Sequence, residues 1–367
     1  MATSKRRIAA LLLSSGLLVL TAACAAGPGA GSPPPAAPSA GSDRVASPGA
    51  PSAAPSAAPS LERAKLAFTA ISAVQSPFWI AYEAGYFREQ GLDVPDMNRI
   101  EPGATMLAAL HNGELEFIAA GAPSLVLGTL QGLDTLVFGA SVNWLEDVIV
   151  ARPEIQSVQD LRGQTIGVSR LKAITDLSAR FGVERFGLKP DVDVFIRGTG
   201  GNTESLAALE AGTVAAASLS VPAVFEANKR GYHDLIDVTA MRIPFGNGNY
   251  GATKATLDRR PQVAERVLRA VAQATSRFKT DPEYAAQIIG KYSQIQDADA
   301  LRGTVAVYTP LFVVDPYPDA AAIQAVLDAE ENPAARTARP EQVIDYRAAD
   351  AVRRSGFLDR LPRDEAS

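Results

Sequence analysis

The chain has 367 residues and a mass of 38.5 kDa, with 35 basic and 40 acidic side chains and a formal net charge of −5. This acidic balance argues against a nucleic-acid-binding protein, because such proteins carry a clear basic excess. One cysteine and two histidines exclude a disulfide framework and a cysteine-built metal centre. The hydrophobic fraction of 47% can build a large core, and the length suits about two domains.

The first 24 residues have the pattern of a lipoprotein signal peptide. Lys5, Arg6 and Arg7 precede an uncharged segment, 8–20, which as a helix would span only about 20 Å and is too short to cross a bilayer. Small residues then lead to Cys24, and this junction resembles a bacterial lipobox, although an ordinary secretory signal with an incidental cysteine is the alternative. We therefore predict lipidation of Cys24 and an extracytoplasmic, lipid-anchored protein, on the periplasmic side in a Gram-negative cell.

Residues 25–60 have the composition of a disordered tether. Ala, Pro, Ser and Gly account for 33 of these 36 residues, so the segment has too little apolar surface to fold. Its prolines favour an extended chain that reaches roughly 100 Å at about 3.1 Å per residue. The signal has a net charge of +3 and the tether has a net charge of zero. The body from Leu61 onward therefore has a net charge of −8.

The body begins with strands that alternate with helices. We predict strands at 65–71, 92–100, 115–119 and 135–140, and helices at 77–90, 103–111 and 123–130. Proline near the helix start and glycine after its end support the first helix. This order favours a mostly parallel sheet with helices on both faces.

A second series of the same kind follows. Strands are predicted at 147–151, 164–168, 192–196, 214–219 and 235–238, with helices at 157–161, 175–186, 202–211 and 221–230. The chain returns to β structure at Tyr250 and is mainly helical beyond Pro261. We predict two doubly wound α/β lobes joined by two hinge crossings, near 148–152 and 243–252, with lobe one at 61–149 plus 246–367 and lobe two at 150–245.

The loops after the strands are the expected binding site. In open α/β sheets, ligands bind beyond the carboxyl ends of the strands, where helix N-termini point, and two facing lobes place two such edges across one cleft. We predict no catalytic residue, metal or cofactor. The candidate ligand-binding residues are Gln75, Ser76, Phe78, Ala122, Ser124, Asn143, Trp144, Ser169, Arg170, Thr175, Asp176, Gly201, Asn202, Ser220 and Asn249.

Three features of these segments have two interpretations. Arg170 can pair with a carboxylate or sulfonate, or it can be a surface arginine or bridge to Asp176. Phe78 and Trp79 can line a pocket, although packing in the helix core is the alternative for at least one of them. The glycines at 246, 248 and 251 match dinucleotide-binding spacing, but a proline precedes them and a β-like segment follows, which favours a flexible crossing.

Three sequence blocks resemble the substrate-binding proteins of the nitrate/sulfonate/taurine and thiamine-precursor ABC importers. They are SPFWIAYEAGYFREQGLDV (76–94), RPEIQSVQDLRGQTIGVSR (152–170) and LAALEAGTVAAASLSVP (206–222). The resemblance implies a periplasmic-binding-protein fold of the two-crossing type II kind, a cleft that closes on a small organic or anionic solute, and delivery to a permease with its ATPase. Where the family usually has small Gly and Ser residues, this chain has the bulkier run 171–174, which argues against a simple backbone cradle for a compact oxyanion.

Two other functions stay open at this stage. A ligand-sensing module without transport would have the same sequence features. An enzyme similar to the thiamine-pyrimidine synthases would need the histidine and cysteine cluster that the resemblance implies for them, but this chain has no cysteine after Cys24. We expect a monomer that binds a small molecule, and both Trp79 and Trp144 follow expected cleft loops, so ligand should change the fluorescence.

Overall fold

The computed structural model describes residues 60–101 and 103–363, so the signal peptide, Cys24 and nearly all of the tether lie outside the described residues. Within these ranges, no helix combines the length and the apolar character that a membrane span requires. The strands are β1 (Glu62–Arg63), β2 (Leu66–Phe68), β3 (Leu92–Asp93), β4 (Met97–Arg99), β5 (Phe117–Ala120), β6 (Thr135–Trp144), β7 (Val148–Ala151), β8 (Thr165–Val168), β9 (Phe195–Gly198), β10 (Ala216–Leu219), β11 (His233–Asp237) and β12 (Pro244–Thr253).

Helices connect most of these strands and make up the C-terminal third. The α-helices are α1 (Ser76–Glu83), α2 (Tyr86–Glu89), α3 (Ala104–His111), α4 (Ala122–Leu130), α5 (Ile174–Glu184), α6 (Asn202–Glu210), α7 (Ala223–Lys229), α8 (Lys254–Arg259), α9 (Pro261–Thr280), α10 (Pro282–Ser293), α11 (Ala298–Tyr308), α12 (Ala320–Ala329) and α13 (Arg347–Arg354). Short 3-10 helices lie at Ala73–Gln75, Val158–Leu161, Thr239–Met241, Pro333–Arg336, Pro340–Gln342 and Leu358–Arg360.

Two five-stranded sheets share one topology. The first has the order β4-β2-β5-β12-β6 and the second has the order β9-β8-β10-β7-β11. In each sheet the first three strands are parallel and the fourth is antiparallel to both of its neighbours. That antiparallel strand is, in both cases, the first strand after the chain crosses from the other sheet. The predicted fold class, two doubly wound α/β lobes joined by two crossings, is confirmed.

The crossings are short. Residues 145–147 lead from β6 to β7, and residues 238–243 lead from β11 back to β12. The two segments are joined to each other, because the Leu145 N–H donates to the Ile243 carbonyl at 3.1 Å and the Val238 N–H donates to the Asp147 carbonyl at 3.1 Å. Most of the residues predicted as crossings belong to strands β7 and β12 instead.

The prediction of a flexible glycine-rich crossing at 246–251 is wrong, because these residues lie inside β12. Their glycines permit close packing of side chains on the first sheet. A Cβ atom on Gly246 would lie 2.6 Å from the Ala122 Cβ, and one on Gly251 would lie 2.3 Å from a Leu125 methyl carbon. Small residues are therefore required where α4 packs against this strand.

Other boundaries differ from the predicted ones for local reasons. The predicted helix 77–90 is divided into α1 and α2 at Gly85, whose φ of 77° is accessible mainly to glycine. The predicted strand 92–100 is divided into β3 and β4 around Pro95, which has no N–H group for a ladder hydrogen bond. The hydrophobic core lies on both sides of the first sheet. The apolar face of α9, which includes Val263, Val267 and Val271, packs against α1 and α13.

Candidate ligand-binding cleft

Helices follow the carboxyl ends of the parallel strands in both lobes, and four of them, two in each lobe, begin at or beside predicted site residues. They are α1 and α4 in the first lobe, and α5 and α6 in the second. No side chain accepts a capping hydrogen bond at the start of any of the four. The first N–H groups of α5 and α6 are therefore available to a polar ligand, whereas the Ser76 N–H of α1 already donates to the Ala73 carbonyl, and Pro77 and Pro123 have no N–H. The starts of α4 and α5 face each other, since the Ile174 Cδ1 lies 3.7 Å from where a Gly121 Cβ would be.

In the first lobe, the predicted residues on α1 are mostly interior. Gln75 and Ser76 are buried at the helix start, and the Ser76 hydroxyl donates to the Ala73 carbonyl. At the start of α4, Ala122 is buried against β12 and Ser124 is half-buried. Among the described residues, the Ser76 hydroxyl is satisfied at the helix start, whereas the Gln75 amide and the Ser124 hydroxyl make no side-chain hydrogen bond.

Phe78 and Trp79 both lie in the hydrophobic core. The Phe78 ring stacks on Tyr250 with centroids 5.7 Å apart, and the Trp79 ring stacks on Tyr292 at 4.5 Å. Packing in the helix core is therefore the correct interpretation for both, and the structure does not bring Phe78 to the cleft surface. Trp144 is different, because it is half-buried at the end of β6, with the Arg242 guanidinium 5.8 Å from its ring centre.

In the second lobe, a hydrogen-bonded loop precedes α5. The Ser169 and Thr175 hydroxyls are 2.7 Å apart, and the Ser169 N–H donates to the Thr175 Oγ1 at 3.0 Å. Asp176 is buried and accepts from the Lys172 N–H at 2.6 Å and from the Arg180 Nε at 2.8 Å. The bridge from Arg170 to Asp176 is therefore ruled out, and Arg170 is exposed with no ion pair among the residues that the structure covers.

Asn202 and Ser220 meet although they are separated by 18 positions. The Asn202 Nδ2 donates to the Ser220 Oγ at 2.7 Å, and the Ser220 N–H donates to the Asn202 Oδ1 at 3.4 Å. Gly201, which precedes α6, has extended backbone geometry. The end of β10 is thereby tied to the start of α6, at the edge of the lobe that the sequence indicated.

Three buried asparagines lie on the two long strands that lead into the hinge. We call Asn143, Asn247 and Asn249 the hinge asparagines. Each is at most 6% exposed and has at least one side-chain atom without a hydrogen-bond partner: the Asn143 Oδ1, the Asn247 Nδ2 and both polar atoms of Asn249. An unsatisfied buried polar atom costs about 1–3 kcal/mol, so this group marks a place where a ligand or water completes the bonding.

Asn247 was missed because its segment was interpreted as a flexible crossing. In β12, residues 247 and 249 are two positions apart, which is the spacing of side chains on one face of a regular strand. Asn143 lies opposite the irregular part of β12, between the paired residues Val142 and Trp144. An alternating Asn pattern in a glycine-rich strand is the sequence signal that could have found it.

Two adjacent buried carboxyl groups occupy the first crossing. Glu146 and Asp147, the hinge acid pair, are 4% and 1% exposed. The Tyr308 hydroxyl donates to the Glu146 Oε2 at 2.6 Å, and the Ser178 hydroxyl donates to the Asp147 Oδ2 at 2.6 Å. No Lys, Arg or His group of residues 60–101 and 103–363 forms an ion pair with either carboxyl.

Burial is the main cause of the raised pKa values of Glu146 and Asp147. Burial and the neighbouring Asp147 charge raise the pKa of Glu146 to about 8, against the effect of the Tyr308 hydrogen bond. Burial also raises the pKa of Asp147, to about 6, against the hydrogen bond from Ser178. The sequence gives no sign of this pair, because nothing in two adjacent acidic residues shows that both are buried.

A cavity of about 270 Å³ opens between residues of the two lobes. Its floor is apolar, and its rim is charged. It is lined by Pro123, Leu171, Lys172, Asp176, Leu177, Arg180, Asp191, Phe245, Val326, Ala329, Glu330 and Glu331. The Lys172 Nζ reaches across to the Glu331 Oε2 at 2.6 Å, so the bulky 171–174 loop closes over one side of the cleft.

Residues 73–285, more than half of the chain, match the family model described as NMT1/THI5 like. The chain belongs to the NMT1/THI5-like family. The family inferred from the three sequence blocks is thus confirmed. Among curated proteins, no sequence matches.

Solved structures share the fold of this NMT1/THI5-like protein. The periplasmic aliphatic sulphonate binding protein SsuA of Escherichia coli has a TM-score of 0.66 at 18% identity, over 78% of this chain and 92% of that one. The periplasmic nitrate-binding protein NrtA of Synechocystis PCC 6803 has a TM-score of 0.62 at 13% identity, over 83% and 99%. The desulfurization enzyme DSZB also has a TM-score of 0.62, at 15% identity, over 80% and 99%. The fold therefore serves both binding proteins and an enzyme.

Proposed function

We propose that this protein is the extracytoplasmic solute-binding component of an ABC importer, which captures a small solute between its lobes and delivers it to the permease and its ATPase. The observation that carries the proposal is the set of unsatisfied hinge asparagines at the junction of two facing lobes. Ligand contacts on both lobes would favour the closed arrangement, and a permease can recognise that state. The proposed lobes are 61–149 plus 246–367 and 150–245.

The proposal includes binding without turnover. The desulfurization enzyme shows that the fold alone does not decide this point. In this chain, His111 is exposed at the end of α3 and His233 lies at the start of β11, away from the four helix starts described above. Incubation of the purified protein with a ligand that it binds should leave the ligand chemically unchanged, and a product detected by mass spectrometry would contradict this part.

The two tryptophans provide the test of solute binding. We expect a ligand found by calorimetry to change the intrinsic fluorescence through Trp144, because this ring lies beside the hinge, while Trp79 is enclosed in the first lobe. The change should be lost in Trp144→Phe and kept in the matched control Trp79→Phe. A ligand that binds both variants and the parent protein with no fluorescence change in any of them would contradict the placement of the site.

Membrane anchoring through Cys24 is the second part of the proposal. It rests on the signal-like segment, the lone cysteine and a tether long enough to hold the body away from the bilayer. We expect Cys24→Ser to move the protein from the membrane fraction to the soluble fraction of fractionated cells. Retention of Cys24→Ser in the membrane fraction would contradict lipid anchoring.

A further inference from the structure

The hinge acid pair and the hinge asparagines form one buried polar group at the junction of the lobes. Asn247 lies beside the Glu146 carboxyl and favours its charged form, yet the Asn247 Nδ2 makes no hydrogen bond of normal geometry. Asn143 lies near the end of β6, three residues before Glu146 of the first crossing, and has an unpartnered Oδ1. The group is thus incomplete in its hydrogen bonding.

The hydrogen-bond donors to Glu146 and Asp147 do not neutralise the charge of two carboxylates. Glu146 and Asp147 each receive one hydroxyl hydrogen bond, from Tyr308 and Ser178 respectively. A neutral hydroxyl stabilises a carboxylate far less than a cation does, and an unpaired buried carboxylate is costly. Among the described residues no cation is in ion-pair contact with the two, so Glu146 avoids the cost by keeping its proton, and its charged form needs a positive group from outside the chain.

The charges around the cavity between the lobes also disfavour an anionic solute. The two cations on its rim, Lys172 and Arg180, are already paired, with Glu331 and with Asp176 and Asp191. Four carboxylates therefore face two cations there, which makes the entrance acidic. The remaining cation on the predicted loops, Arg170, is exposed and belongs to the second lobe alone.

We propose that the solute carries a protonated nitrogen, as an amine or amidine, which donates to the Glu146 carboxylate and to the Asn143 Oδ1. This inference rests on the proposed function, since it requires a solute in the cleft. A cation next to the pair stabilises the charged form of Glu146 and supplies the N–H donor that the Asn143 Oδ1 lacks. The class differs from the sulphonate and nitrate for which two of the structural neighbours are named.

Thermal denaturation of the purified full chain tests the inference with ligands of matched shape. Benzamidine and benzylamine provide the cations, and benzoate, benzenesulfonate and nitrate provide the anions. At about 10 mM, roughly ten times the dissociation constant of a millimolar ligand, a cation should raise the Tm by about 2 °C or more and the anions should not. Glu146→Gln should abolish the shift, because it keeps the side-chain shape and removes the charge.

The control variant is Glu114→Gln, which changes the net charge equally at an exposed position with no ion pair among the described residues. It should keep the full shift. An anion that stabilises the parent protein, a cation shift that survives in Glu146→Gln, or no shift with either cation would each overturn the inference. If Glu146→Gln fails to fold, the preference of the parent protein for cation over anion decides the question. Stabilisation by an anion would overturn only the charge class and would leave solute binding, the proposed function, standing.

Discussion

At the scale of single residues, Glu146 predicts an unusual pH dependence of stability. Its pKa in the folded protein, about 8, lies above the ordinary value of 4.5, so the folded state binds more protons than the unfolded state between these values. The resulting stability is fully present below pH 4.5 and is lost as the pH rises towards 8. We expect the free energy of unfolding, measured in urea, to fall by about 1–3 kcal/mol between pH 5 and pH 8.

The Glu146→Gln variant should flatten this curve, because glutamine does not titrate. The nearest titratable groups, Asp147 and Tyr308, remain in the variant, and the raised pKa of Asp147 leaves a smaller decrease between pH 4 and pH 6. A parent protein whose stability rises from pH 5 to pH 8, or a variant with the same slope as the parent, would contradict the assignment.

At the scale of one element, Asp176 holds the start of α5. Its carboxylate accepts from the Lys172 N–H and from the Arg180 side chain, and it is 2% exposed. Asparagine keeps only one acceptor oxygen and no charge, so one of the two donors loses its partner and the Arg180 pair is broken. Asp176→Asn should therefore lower the free energy of unfolding by about 2 kcal/mol. Urea denaturation at pH 7 measures the change.

Asp191 supplies a matched control for that variant. It pairs with the same Arg180 at 2.6 Å, but its side chain is 58% exposed. Exposed ion pairs contribute about 0–1 kcal/mol, so Asp191→Asn should have a small effect. Equal losses in the two variants would show that the loop contact with Lys172 does not stabilise α5.

At the scale of the whole molecule, two ion pairs join the lobes on different sides. Lys172 of the second lobe pairs with Glu331, and Lys229 of the second lobe pairs with Asp297 at the start of α11. The contact near α11 is close, since a Cβ on Gly303 would lie 2.7 Å from the Phe225 ring. The C-terminal helices therefore hold the lobes together by contacts on their surface rather than by a shared core alone.

The double variant Lys172→Met with Lys229→Met should open the cleft more often. With about 0–1 kcal/mol from each exposed pair, the open population should increase up to roughly 30-fold. Hydrogen exchange at the starts of α4 and α5 should accelerate by the same factor. Lys254→Met, which breaks an ion pair within α8 alone, should leave the exchange unchanged, and a double variant with parental exchange rates would contradict the role of these pairs.

Much of the architecture was predictable because parallel strands that are covered on both faces are short apolar runs. Strands such as β5 and β7 are fully buried and were found on this basis. Only the second half of β12, from Tyr250, was predicted as β structure. Its first half was missed, because the Gly and Asn residues there suit a turn locally and form a strand only where α4 and β6 pack against them. At the site, the loops of Ser169, Asn202 and Ser220 were predicted from their position after strands. The core packing of Phe78 and the hydrogen bonds of Asp176 to Lys172 and Arg180 were not predicted.

The sequence by itself determined the alternation of strands and helices, the family and the loops at which helices begin, since each depends on nearby residues and their spacing. It also predicted the signal and tether, which depend on composition alone. Only the tertiary structure decided which polar groups are buried without partners. Glu146 and the hinge asparagines lose contact with water because two lobes and α11 meet around them, and that meeting joins segments more than 100 positions apart. Burial of this kind sets the charge of the hinge, and no local pattern of residues reports it.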